Sequence, residues 1–210
     1  MERNMSKYVK HVMMISIVTL VSTTATCPSD AFELTGSSWA HLTKPREVKF
    51  FVCSKGIDAE ARKRIREAAD VWSNGDKIKF SIDETKECEI NENFNKCQKI
   101  NVIDRGPIAT TDPFYRAAAA TSPCPISEDK KKLRNCDIRL SDKVKFSTTL
   151  VGPIAGDTYD LLSAMIHEFG HCVGLKDLST SDSVMNGVEE GQRKRTLAKD
   201  DKDGRDSLYK

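Results

Sequence analysis

Two histidines four positions apart, His167 and His171, lie inside an apolar stretch that Gly174 brings to an end. On a helix that spacing projects both imidazoles from one face. Leu162, Met165, Ile166, Phe169 and Val173 recur at helical intervals around them, which predicts a helix from Thr158 to Val173 with its other face buried. Asp157 and Asp160 suit the positive end of that helix. Gly174 can adopt a positive φ without a steric penalty, so the chain can turn back sharply there. The turn carries Asp177 toward the two rings. Any fold of this chain must therefore bury one side of the helix, leave the histidines accessible and supply a layer for the apolar side to pack on.

Histidines spaced in this way can share one ion, since imidazole nitrogen binds Zn2+ at about 2.0–2.1 Å. Asp177 would be the third ligand, leaving the fourth position open to water. Three protein ligands with an open position is the catalytic zinc pattern, whereas structural sites are closed. Glu168 follows the first histidine and points beside the pair, where it can serve as general base toward a water on the metal. Taken singly, these residues are a surface histidine pair, a solvated acid, a helix-ending glycine and a loop carboxylate. Their coincidence at this spacing is what selects the zinc reading.

The string His167-Glu-Phe-Gly-His171-Cys-Val-Gly174-Leu-Lys-Asp177 resembles the extended HExxHxxGxxH/D signature of metzincin zinc peptidases, and its context resembles the matrixin branch. Met185, in Ser183-Val-Met-Asn186, stands where that clan has the Met-turn methionine beneath the metal. The segment from Leu197 to Tyr209 resembles the last matrixin helix, in which the acids matching Asp200 and Asp201 tie the helix to the domain. Trp72 ahead of a strand with Phe80, and Leu161 leading into the motif, fit as well. The resemblance implies an α+β fold, with a mixed twisted sheet, an active-site helix, a Met-turn and a C-terminal helix. Two positions depart from the pattern. Asp177 replaces the usual third histidine, as in snapalysin-type enzymes, and lowers the charge of the site. Asn186-Gly187 follows Met185 where matrixins have an aromatic residue and proline. The family's additional structural zinc needs histidines that this chain lacks outside His11 and His41, so one zinc is expected, and calcium is left open.

The rest of the chain supplies the layers. Val48–Val52 reads as a strand, and Ile57, Ala61, Ile65, Ala68 and Trp72 mark a helix with Asp58 as N-cap and Asn74-Gly75 as its stop. Further strands are expected at Ile78–Ile82, Ile100–Ile103, Asp137–Leu140 and Val144–Phe146, and a last helix from Ala198 to Tyr209. Ala117 to Lys132, with its prolines and charge run, reads as a loop. A peptide substrate would lie extended along an edge strand. The candidate is Asp137, Ile138, Arg139 and Leu140.

With 210 residues the chain fits one domain plus an appendage. Its formal charge of +2 sits in the first 25 residues, where Arg3, Lys7 and Lys10 outnumber Glu2. The neutral remainder argues against nucleic acid or an anionic membrane as partner. That basic start, the apolar run Val12–Val21 and the small residues after it form a secretory signal, with cleavage after Ala25 or Ala31. Residues 1–31 are therefore read as leader and 32–210 as catalytic domain. Of the seven cysteines none forms a C-x-x-C pair, and removal of Cys27 would leave an even six, suited to an oxidising compartment. Short loops favour Cys88–Cys97 and Cys124–Cys136, leaving Cys53 for Cys172. The expectation is a secreted or periplasmic monomeric zinc endopeptidase acting on a protein or peptide. A non-catalytic zinc-binding module of the same fold is the alternative, against which Glu168 argues.

Overall fold

Alternating apolar residues build the first strand, and the helix after it buries the face that periodicity marked. In the computed structural model, which describes residues 32–84, 88, 94, 96–108, 117–178 and 182–210, strand β1 is Glu47–Val52 and helix α1 is Ala59–Trp72. The leader reading of residues 1–31 and Cys27 lies outside the described residues. Asp58 caps α1 by accepting a hydrogen bond from the Ala61 amide at 2.8 Å. Ile65, Ala68 and Trp72 are fully buried. Strands β2 (Lys79–Asp83), β3 (Asn101–Gly106), β4 (Ala119–Ile126) and β5 (Asp129–Ser141) follow. They form a five-stranded sheet in the order β2-β1-β3-β5-β4, parallel except for β4. Strands β6 (Lys145–Ser147) and β7 (Thr158–Asp160) form a small parallel pair, and helices α2 (Leu161–Val173) and α3 (Lys199–Leu208) complete the α+β fold.

Helix α2 packs its apolar face against α1 and the sheet. Phe169 meets Phe50 edge-on at 5.2 Å between centroids and stacks on Phe80 at 5.5 Å. The indole of Trp72 donates to the Ile166 carbonyl at 2.7 Å, and that of Trp39 to the Cys172 carbonyl at 2.9 Å. Tyr209 donates to the Val173 carbonyl at 2.5 Å, and its burial raises the phenol's pKa. The C-terminal carbonyls of Cys172 and Val173 thus acquire side-chain donors, while the Trp72 bond ties the middle of α2 to α1.

Four expectations need correction. The segment from Ala117 to Lys132 is chiefly a β-hairpin, β4 running back into β5. Its prolines concealed the strand. In β4, Ala118 accepts from the Ser141 amide, so alternate residues face β5 while Ala119, Thr121 and Pro123 present their backbone groups outward. A proline there forfeits no ladder bond, which is where edge strands tolerate it. Asp137, Ile138, Arg139 and Leu140 accordingly do not form an edge. They lie in β5 between β3 and β4, all buried, with Arg139 bound to the Asp104 carboxylate. The active-site helix begins at Leu161 rather than Thr158, because Thr158–Asp160 pairs with β6.

The cysteine pairing also differs. The disulfides are Cys53–Cys88, Cys97–Cys124 and Cys136–Cys172. Cys136 lies opposite Pro123 and Cys124 opposite Asn135, so the two thiols leave opposite faces of the hairpin and cannot meet. Cys136 faces α2 and binds Cys172 there.

Candidate metal centre

The site is assembled from one helix, the turn that ends it and a second turn beneath. Asp160 starts α2, accepting from the Ser163 amide at 3.0 Å. It is buried and holds Arg195 through two hydrogen bonds, from Nε at 2.8 Å and Nη2 at 2.5 Å. Although burial disfavours its charge, the Arg195 guanidinium and Ser163 hold its carboxyl below the usual range. At the other end Gly174 has φ 118°, and the Leu175 amide reaches back to the Gly170 carbonyl at 3.0 Å. A side chain at Gly174 would also fall 2.7 Å from the Ser37 carbonyl oxygen, so the position is closed to larger residues on two counts.

Three side-chain atoms converge past this turn. His167 Nε2 and His171 Nε2 are 3.2 Å apart, and Asp177 Oδ1 lies 3.2 Å from each. Donor atoms bound at about 2.0–2.1 Å in a tetrahedron lie roughly 3.3–3.4 Å apart, so the spacing fits one zinc ion. The rings are also turned for it. His167 Nδ1 faces the Val184 carbonyl and His171 Nδ1 the Leu175 carbonyl, both at 3.0 Å. A proton held on each Nδ1 leaves the Nε2 lone pairs aimed at the common point. Among the described residues this is the one such group of histidine, cysteine or acidic ligands.

Charge in the cluster follows from that convergence. Burial alone would lower the basicity of His167, but the Asp177 carboxylate, the Glu168 charge and the Val184 carbonyl push it up to about 9. The two imidazoles in turn hold Asp177 well below the usual carboxylate range, against its partial burial. A divalent cation satisfies the same attraction that a proton satisfies in its absence. The Asp177 side chain is 65% exposed, so the cluster is open on that side.

Met185 lies under the helix. A Cβ at Gly170 would come within 2.2 Å of Met185 Sδ and 2.9 Å of Trp72 Cζ2, which is why the motif has glycine between Phe169 and His171. Asp201 holds this turn. It accepts from Ser183 Oγ at 2.5 Å, the Val184 amide at 3.1 Å and the Ala198 amide at 2.8 Å. The carbonyl that orients His167 is therefore set by an acid on α3. The buried Oδ2 of the neighbouring Asp200 has no partner among the described residues.

Sequence reasoning missed two contributors. The segment before β1 braces the turn after α2, with the Thr35 amide donating to the Gly174 carbonyl at 2.8 Å and the Lys176 amide to that of Glu33 at 2.9 Å. Thr121 on β4 donates to the carboxylate of Glu168, which is buried. No local pattern marks either one; the four alanines before Thr121 are the sole hint that something approaches closely there. Beside the cluster a cavity of about 430 Å³ is lined by Ala119, Thr121, Tyr159, Ala164, Gly187 and Val188 among others.

A mixed sheet backed by a helix that presents two histidines and a glutamate, over a methionine-bearing turn, is the architecture of a zinc metallopeptidase domain. The chain belongs to the matrixin family: the family model described as Matrixin matches residues 44–210. No curated protein matches the chain.

Proposed function

We propose that this matrixin is a secreted zinc endopeptidase in which His167, His171 and Asp177 hold one zinc ion and Glu168 is the general base. The observation that carries the reading is the mutual 3.2 Å spacing of three ligand atoms beside a buried carboxylate, at the mouth of a cavity. Zinc held there supplies Lewis acidity, making a water more acidic and polarising the peptide carbonyl. Glu168 takes the proton of the attacking water on its carboxylate and returns it to the leaving amine. The outward backbone groups of Ala119 and Thr121 bind the peptide as an added strand, a mode that reads main chain rather than sequence. Pro123 has no N–H to offer and ends that pairing. The cavity edged by Tyr159, Ala164 and Val188 favours an apolar side chain next to the cleaved bond. Three disulfides support an oxidising compartment.

A peptide-library digest tests the proposal. Hydrolysis should be abolished by a chelator and restored by zinc. Glu168→Ala should keep its zinc and lose about 10²–10⁴-fold in kcat. Wild-type turnover in that variant overturns the assigned base, and chelator-resistant hydrolysis overturns the metal.

A further inference from the structure

Glu168 needs a fixed direction, and its own helix does not supply one. Its side chain leaves α2 toward the sheet and is 5% exposed, yet no residue of α2 hydrogen-bonds to its carboxylate. The partner comes from the cleft's opposite wall. Thr121 sits on β4 across from Ile138, with its backbone groups facing outward and its hydroxyl reaching Glu168 Oε2. The same hydroxyl lies 3.3 Å from the Glu168 carbonyl oxygen. A hydroxyl has one proton to donate, and the charged carboxylate is the stronger acceptor. The carbonyl is a second acceptor within reach, so the hydroxyl can follow a shift of Glu168 without being stranded.

We propose that Thr121 is the positioning residue for Glu168, fixing the carboxylate that acts on the attacking water; this rests on the endopeptidase reading above. Threonine suits the place on three grounds. Its β-branch fits an extended strand, its hydroxyl is short enough to have little freedom, and its backbone N–H and C=O stay available to a peptide. One residue therefore borders the peptide's path and holds the base at once. Removing the hydroxyl leaves the strand and the ligands intact but lets the carboxylate turn, and small misplacements of a reacting group are costly.

Three variants test this: Thr121→Val, which keeps the shape, Thr121→Ser, which keeps the hydroxyl, and Thr121→Ala, which keeps neither. Expected is a loss of roughly tenfold in kcat for Thr121→Val with KM within about twofold, as for loss of one charge-assisted hydrogen bond, and near wild-type kcat for Thr121→Ser. Should Thr121→Val fold poorly, the ratio of Thr121→Ser to Thr121→Ala isolates the hydroxyl. Crystal structures of wild type and variant are the second readout. Glu168 should occupy one conformer in the wild type and several in Thr121→Val. Equal kcat in the valine, serine and alanine variants, or an unchanged single Glu168 conformer without the hydroxyl, overturns the proposal. A wild type that orders Glu168 through Thr121 but hydrolyses no peptide overturns the endopeptidase reading and leaves the positioning role standing.

Discussion

The C-terminal half of α2 with Asp177 and the hairpin of β4 and β5 border the same cleft, yet they arise from opposite kinds of information. On the helix side, the proposed ligands are local. His167 and His171 are one turn apart, and Asp177 follows a glycine that the sequence allows a positive φ and that has a φ of 118°. On the hairpin side nothing is local. The β4 residue that touches Glu168 lies 47 positions from it, and the prolines in that strand disguise it. Short-range chemistry thus builds the metal cluster, and long-range packing builds the wall against which a substrate would lie.

The two sides are joined covalently by Cys136–Cys172, and separating them is the most drastic way to break the comparison. The bridge closes a separation of 36 residues, for which chain entropy gives about 4 kcal/mol. The Cys136→Ala/Cys172→Ala double variant should lose that much in denaturant melts, with zinc content per folded molecule retained. Next in size is the helix side alone. Asp177→Ala should weaken zinc binding by at least about a hundredfold, the upper range seen for mere outer-shell partners. Titration with a competing chelator measures this, and unchanged affinity would remove Asp177 from the ligand set.

The hairpin side alone should respond differently. Ala119→Pro deletes an outward N–H while sparing the bonds to β5, so KM should rise by roughly tenfold with little change in zinc affinity or melting temperature. A shift in zinc affinity instead would show that wall and metal cluster are not separable. The smallest effect concerns pH. Asp160 is held below its unfolded pKa, so its contribution is complete above the unfolded carboxylate range and is lost as pH falls through the folded value. Melting temperatures of wild type and Asp160→Asn should therefore stay apart down to about pH 4, the ordinary aspartate value, and converge only as pH falls below it.

Much of helices α1 and α2 was legible because it rests on periodicity and capping. Asp58, the stripe ending at Trp72, and the helix ending at Val173 followed from spacing that depends on few distant contacts. The disulfides were not legible. Which thiols meet depends on the face from which each leaves its strand, and that required the register placing Cys136 against Pro123. The start of α2 failed for a related reason. Thr158–Asp160 could have continued the helix, but its residues pair with β6 instead.

What the sequence by itself determined is the identity and order of the groups in the cluster, along with the turn that gathers them. These depend on one helical repeat and one glycine. Tertiary structure decided which strand became the edge, which cysteines joined, and that Thr121, Val184 and Asp201 orient the site's residues. A strand's neighbours and a side chain's distant partner are settled only when the whole core packs, because each such contact is chosen by the burial of everything around it.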